Sequence, residues 1–547
     1  MLATVRYFSL VGLCASILTA APLVTIDSGS IEGLSFDGQS VFLGIPFAAA
    51  PTGDRRWMPP QAVAAWRGVR RATGFGATCP QAEAGFQELY REIAAAQPYY
   101  RDFRMDEDCL CLNVWTKHLG ASAKLPVMVW IHGGSNIAGT GPYPPLGPGL
   151  ARQGVVFVSI NYRLGALGFL AHPALTAESP QHASGNYGLL DQIAALQWVQ
   201  RNIAQFGGDP NNATVFGESA GGAMICYLMA SPQARGLFQR AILESCTCCD
   251  YLSPELKRPI RYFSGRGTAE DAGLRLQREL GIEPGPKALR EMRAQSAEAV
   301  VKAAAQVPEV LSFLYSGGTV DGWVLVEQPA VTFGAGRQMR IPVLLGSNAD
   351  EGTVTFAQLD EPTVANYRNW MKVHFDKHAD EVLRVYSAKT DAEEVRAAWL
   401  ALTADYQRGQ TVRSLARDMV RGGQKAWLYY FSYPAKGEYA REGLGAFHGL
   451  ELAFVGGGFF RKSQWGEPDS DDLGLVKLMT GYWTRFAATG DPNGAGAPRW
   501  PVYDPKSDLA MELGKVVRPI AVPHADRFSV FERVLNVRLA EIKTANR

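Results

Sequence analysis

The chain has 547 residues, of which 47% are hydrophobic and 20% charged. That is enough apolar material for a large buried core and too much for a disordered chain. A formal net charge of +1 removes any electrostatic reason to expect a nucleic-acid or membrane-surface partner.

In chain order, the first segment reads as an export signal. Arg6 supplies the positive start, Tyr7 to Leu18 is apolar, and Thr19, Ala20 and Ala21 are small. This pattern makes residues 1–21 a cleavable signal peptide and predicts a secreted or periplasmic location. The apolar run is short for a membrane span. Leu13 is too large for the small-residue site that would make Cys14 a lipid anchor, and no later segment resembles a transmembrane helix. Removing Cys14 leaves Cys79, Cys109, Cys111, Cys226, Cys246, Cys248 and Cys249. An odd count means that at least one thiol stays free or pairs between chains.

Continuous apolar runs follow at Leu125 to Ile131 (LPVMVWI) and Val155 to Ile160 (VVFVSI). Runs of this kind suit strands buried on both faces. Ala213 to Phe216, Arg240 to Leu243, Ile341 to Leu345 and Ala426 to Phe431 continue the series. Between them, Leu189 to Ile203 and Leu473 to Ala488 carry apolar residues three or four apart, as amphipathic helices do. Strands alternating with helices predict a mainly parallel sheet covered on both sides. Two regions, near 253–319 and 359–409, are rich in Ala, Glu, Arg and Leu and read as inserted helices over a pocket. With no repeat or long linker visible, residues 22–547 read as a single domain.

The chemistry begins at Gly217-Glu218-Ser219-Ala220-Gly221, a G-x-S-x-G segment between a strand-like run and an Ala- and Met-rich helix. Small residues permit a sharp turn that lifts the Ser219 hydroxyl above the sheet edge. A serine hydroxyl needs a base, and the base needs an orienting acid. His448, in the loop-like stretch Gly445 to Glu451, is the candidate base. The acid belongs at a strand end between the two, where Asp350 and Glu351 follow the strand that starts at Ile341. Trp130-Ile131-His132-Gly133-Gly134-Ser135 ends a strand in a turn of small residues. Backbone N–H groups of Gly134 and Ser135, with a third from Ala220, are the expected oxyanion donors.

Ordered segments along most of the chain carry a family resemblance. They include FLGIPFA from Phe42, EDCLCLNV from Glu107, NYRLG from Asn161, GNYGLLDQ from Gly185, FGGDP from Phe206 and the GESAG turn. Asp350-Glu351-Gly352, Phe447-His448-Gly449 and TGDPN from Thr489 complete the set. From about Ile26 to Tyr503 the chain resembles the type-B carboxylesterases, which include the cholinesterases, within the α/β-hydrolase fold. The resemblance implies a central, mainly parallel twisted sheet flanked by helices, with helical insertions over an active-site gorge. It implies ester hydrolysis without a cofactor, through a Ser219–Glu351–His448 triad and an acyl-enzyme intermediate. It takes Glu351 over Asp350 as the acid and assigns the oxyanion hole to Gly134, Ser135 and Ala220. It further implies a Cys79–Cys109 disulfide, and Glu218 and Glu451 as groups near the histidine that tune it. The implied partner is a small-molecule or lipid-like ester.

Departures from the family pattern are informative. Ser135 stands where a third glycine is usual, which a backbone donor tolerates. Cys111 replaces an aromatic residue, and Glu244 to Cys249 (ESCTCC) replaces a Gly-containing segment. The cysteines of this segment offer a disulfide with one another or with Cys226, or a metal site; a local structural role is the expectation, since no His lies at zinc-site spacing. The 79–109 loop holds no Trp, which argues against quaternary-ammonium esters. Phe86, Tyr90, Tyr99, Tyr100 and Phe103 make that loop aromatic all the same. Asn212-Ala213-Thr214 is a glycosylation sequon entering a core strand, and is expected to stay unmodified. Two rivals share the fold: acyl transfer to an acceptor other than water, and a non-catalytic adhesion protein.

Overall fold

The computed structural model describes residues 21–82, 104–142, 146–248, 252–262, 265–315, 317–354, 361–458 and 462–545. The signal-peptide reading, the aromatic residues at 86–103 and Cys249 therefore lie outside the described residues, Ala21 apart.

An 11-stranded sheet runs through the molecule. Its strands are β1 (Leu34–Phe36), β2 (Gln39–Pro46), β3 (Cys111–Thr116), β4 (Leu125–Ile131), β5 (Val156–Ile160) and β6 (Gly208–Glu218). They continue as β7 (Arg240–Glu244), β8 (Val343–Asn348), β9 (Ala426–Phe431), β10 (Leu509–Leu513) and β11 (Val517–Ala521). Across the sheet the order is β11-β10-β9-β8-β7-β6-β4-β5-β3-β2-β1. The block from β10 to β5 is parallel throughout, and antiparallel pairs close both edges. This is the expected α/β-hydrolase arrangement, a mainly parallel sheet flanked by helices.

The apolar runs have a plain cause. Successive residues of a strand face opposite sides of a sheet, and here both sides are core. Val127, Val129 and Ile131 of β4 enter one buried cluster, while Met128 and Trp130 enter another on the opposite face. Strand β9 divides the same way, Ala426 and Leu428 on one side, Trp427, Tyr429 and Phe431 on the other. Helix α1 (Tyr187–Asn202) covers the first face with Leu189, Ile193, Leu196 and Val199. Helix α2 (Ala220–Ala230) leaves the sheet at Ser219 and lies on the same side.

Both insertions are largely helical. The first opens with an antiparallel ribbon, Ile260–Tyr262 against Gly265–Gly267, which the sequence reading did not anticipate. Four helices between Ala269 and Tyr315 follow it. The second contains α3 (Val364–Phe375) and α4 (Glu393–Ala404), then a π-helical turn, Asp405–Gly409, that runs into α5 (Gln410–Arg421). It builds a satellite core in which Tyr367, Phe375 and Trp399 pack with Phe531 and Val534 of the C-terminal helix.

The second face of the sheet is sealed by α6 (Ser470–Thr489), and the C-terminal helix is α7 (Ala525–Ala545). Asn212 is held in β6 by a bond to Ala488 O, and its carbonyl accepts from Arg240. At the centre of the second face, Trp427 is fully buried and meets Phe486 of α6 edge to face, centroids 5.7 Å apart. Trp427→Ala removes a core indole that the surroundings only partly refill. A loss of about 3–5 kcal/mol in unfolding free energy is expected, read by chemical denaturation.

Candidate active site

Ser219 sits where β6 turns into α2, with φ 57° and ψ −122°. A non-glycine residue held there stores about 1–3 kcal/mol of strain, which the surroundings must impose. They do so by hydrogen bonds on both sides. Ser219 N donates to Glu244 O of β7 (2.9 Å), and Ser219 O accepts from Ala223 N (3.0 Å). Gly221 lets the turn close, since a Cβ there would lie 2.0 Å from Ile131 O at the end of β4.

The turn after β4 packs onto this elbow. A Cβ on Gly133 would lie 2.7 Å from Glu218 O and 3.2 Å from Ser219 Cβ. Gly134 (φ 103°), Ser135 (φ 56°) and Asn136 (φ 61°) form a left-handed run that turns the backbone back at the strand end. The N–H groups of Gly134, Ser135 and Ala220 make no hydrogen bond among the described residues. They are donors left available beside the serine.

The strand-end loop after β8 distinguishes the two candidate acids. Asp350 turns its carboxylate to the backbone of the histidine loop, accepting from Ala446 N (2.7 Å), while its own N–H donates to Ala446 O (3.0 Å). Glu351 reaches the imidazole: His448 Nδ1 donates to Glu351 Oε2 at 2.5 Å. The other oxygen, Oε1, accepts from Asn348 N at 2.7 Å. Sequence reasoning assigned Asn348 no role. Its amide donates to Phe447 O (2.7 Å) and to Glu451, so it ties the acid loop to the histidine loop twice. Asn at a strand end is common enough that nothing local marks it.

On its far side, His448 Nε2 lies 3.0 Å from Glu218 Oε1. The approach is off the N–H axis, and that oxygen accepts no hydrogen bond. The Ser219 hydroxyl makes none either among the described residues. The structure thus brings Glu351, His448 and Glu218 into contact and sets Ser219 one residue along from Glu218. It does not join Ser219 directly to His448. Catalytic hydrogen bonds commonly close fully only in the complex with substrate.

Two further acids, Glu451 and Glu244, are fully buried behind the histidine. Glu451 accepts from Ser245 Oγ (3.3 Å), and Glu244 accepts from Trp483 Nε1. Burial, reinforced by the charges of Glu218 and Glu351, pushes the Glu451 carboxyl up to about 8. Burial, with Glu451 beside it, raises Glu244 well above the usual carboxylate range. Burial would also raise Glu351, but the adjoining imidazolium, Arg408 and Asn348 N–H together hold it below its ordinary value. For His448, burial favours the neutral ring, and the carboxylates of Glu218 and Glu351 outweigh it, raising the ring to about 10. That shift stabilises the fold in full below the unfolded value of 6.5, and the contribution disappears as pH rises through about 10.

The expected Cys79–Cys109 disulfide is present, with Cα atoms 5.1 Å apart. Cys111, Cys226, Cys246 and Cys248 are buried thiols outside any disulfide. Cys111 lies beside Asn161, and burial pushes its thiol up to about 12.

Glu218→Gln removes one of the two carboxylates that hold the imidazolium. The His448 titration midpoint is therefore expected to fall, as read by NMR of protein labelled with ¹³C in its histidine rings. An unmoved midpoint would show that Glu218 does not sense the ring charge.

Comparison with known proteins identifies the family. Residues 20–527 match the model of the carboxylesterase family. The chain is 38% identical to a fumonisin B1 esterase of Sphingopyxis macrogoltabida, covering 90% of this chain and 86% of that one. It is 35% identical to the para-nitrobenzyl esterase of Bacillus subtilis (strain 168), covering 88% and 92%. Among solved structures, a thermophilic PNB esterase superposes with a TM-score of 0.79 at 30% identity, covering 93% of this chain and 99% of that one. The chain belongs to the carboxylesterase family of ester hydrolases.

Proposed function

We propose that the protein is an exported serine carboxylesterase that works through an acyl-enzyme. The observation that carries this reading is the 2.5 Å hydrogen bond from His448 Nδ1 to Glu351, beside a serine held in a strained elbow. In its neutral form His448 takes the Ser219 proton as Oγ attacks the ester carbonyl. Glu351 fixes the ring tautomer and stabilises the imidazolium that forms. The tetrahedral oxyanion rests on the N–H groups of Gly134, Ser135 and Ala220, each such donor being worth about 3–4 kcal/mol in the transition state. The C–O bond to the alcohol then breaks, and His448 Nε2–H protonates the departing oxygen. Water, deprotonated by His448, attacks the acyl carbonyl and releases the acid and free Ser219. The scheme draws on three side chains, three backbone N–H groups and water.

Neutral imidazole is the competent base, so activity should climb with pH across the range where Glu218 and Glu351 hold the proton on the ring. A small-molecule or lipid-like ester fits the family, and the relatives' names span several ester types. Export is supported by the residue 1–21 pattern and by a disulfide, which persists in oxidising compartments.

Hydrolysis of p-nitrophenyl esters from acetate to palmitate, wild type beside Ser219→Ala, tests the reading. Loss of kcat by at least about 10⁴-fold is expected in the variant, and the chain-length profile measures the acyl pocket. A wild type inert on the whole series would sink it. For export, N-terminal sequencing of protein recovered outside the cytoplasm is expected to begin near residue 21 or 22, whereas an intact Met1 in that fraction would refute cleavage.

A further inference from the structure

Among the described residues, one Lys or Arg comes within 4.0 Å of the carboxylates of Glu218, Glu244, Glu351 or Glu451. It is Arg408, whose Nε lies 3.9 Å from Glu351 Oε2. Nothing in the sequence pattern marks it, and the mechanism above gives it no part. Its side chain is 10% exposed. Of the guanidinium donors only Nη1 makes a hydrogen bond among the described residues, to the carbonyl of the adjacent Gln407 at 3.2 Å. Burying a guanidinium costs free energy unless its charge or its donors are used. Among the described residues the protein takes up one of its donors, so the charge beside Glu351 is the main interaction that the fold supplies to it.

The backbone that carries Arg408 is built onto the acid loop. Arg408 belongs to the π-helical turn Asp405–Gly409, a distortion that re-aims side chains and is frequent at functional sites. Gly352, the residue after Glu351, is pressed against the end of α4. A Cβ there would lie 2.6 Å from both Leu400 O and Thr403 Oγ1. From the other side Asp405 anchors the turn, accepting from Tyr386 OH and His524 Nδ1, each at 2.8 Å, with Arg527 3.6 Å away. The cation is therefore held at a set distance from Glu351 by structure on two sides.

We infer that Arg408 is a positioning residue of the Glu351–His448 pair, a fixed cation that keeps Glu351 ionised and sets the pH at which His448 becomes a base. The inference rests on the catalytic reading of that pair.

The charges that face His448 are few enough to sign. Glu218 stands at Nε2 and Glu351 at Nδ1, both favouring imidazolium, with Glu451 and Glu244 behind them. Asp350 is turned onto the Ala446 N–H, and the Tyr429 hydroxyl is held neutral by burial among these acids. Burial opposes the proton, and among these charges Arg408 is the one that opposes it as well. Around Arg408 itself, Asp405 is engaged by His524 and Arg527, and Arg413 of α5 is paired with Asp508 and Glu532.

Removing the cation should let the imidazolium persist to higher pH. In Arg408→Met the acid limb of kcat/KM on a neutral ester, followed by pH-stat, is expected to move up by about one pH unit. Rate then falls about tenfold below the limb, while the high-pH plateau and KM stay near wild type. Arg408→Lys should move the limb back toward the wild-type position. Arg408→Gln serves the same test should Arg408→Met not fold. A ¹³C-histidine titration of the same variants reads the His448 midpoint without any turnover. A raised midpoint in a protein with no esterase activity would refute the catalytic reading and leave the electrostatic role intact. An unmoved midpoint with an overlaid pH profile overturns the proposal. A loss confined to KM for a carboxylate-bearing ester overturns it too, since the guanidinium would then be binding substrate.

Discussion

The site depends on one imidazole held between two carboxylates. Glu351 accepts from Nδ1, Glu218 stands at Nε2, and the ring is only 17% exposed. At this degree of burial neither acid is well screened, so each strongly favours the proton on His448. The surroundings have to meet that constraint. Asp350 and Asn348 fasten the histidine loop to the acid loop by backbone and side-chain bonds, which fixes the ring in register with Glu351. The two acids behind, Glu244 and Glu451, are pushed toward neutrality, which limits the number of charges that share the space.

The parallel sheet is what allows these groups to meet. Strands β6, β7 and β8 end side by side at the same edge of the sheet. Their last residues and the turns after them deliver Glu218 and Ser219, Glu244 and Ser245, and Asn348 and Glu351. Backbone bonds knit the ends together: Ser219 N to Glu244 O, and Ser245 N to Gly346 O. Each strained turn is thus pinned by its neighbour. The strain at Ser219 is affordable because the strands beneath are buried on both faces. The apolar packing of β4 and β9 against both clusters supplies the stability that the edge spends.

Much of the frame was legible in the residues. Leu125 to Ile131 and Ala426 to Phe431 are strands with the expected limits, because a strand covered on both faces must be apolar at every position. The two amphipathic helices lie where their spacing put them, within two or three residues at each end. The ribbon at Ile260–Tyr262 was missed, since three residues beside a glycine carry no periodicity. The strands Leu509–Leu513 and Val517–Ala521 lie outside the expected series as well: the first is only partly buried at two positions and the second, at the sheet edge, has no buried residue, so neither carries a continuous apolar run. In the site, Ser219, His448 and the acid pair stood out through local chemistry and order along the chain. Arg408 and Asn348 did not, because their significance lies entirely in what folding sets beside them.

The sequence by itself determined the strand and helix frame, the serine elbow, the turn of small residues after β4 and the short list of candidate acids. All of these are encoded in runs of adjacent residues, where side-chain size, periodicity and turn chemistry act locally. Family resemblance favoured Glu351 over Asp350, but only the tertiary structure shows what each carboxylate meets, the imidazole for Glu351 and the Ala446 N–H for Asp350, and that among the described residues one guanidinium stands beside the pair. Those outcomes depend on distances between groups 57 to 230 positions apart in the chain (Arg408 to Glu351, His448 to Glu218). Electrostatic interaction follows separation in space and burial, and neither is written in the spacing of residues along the chain.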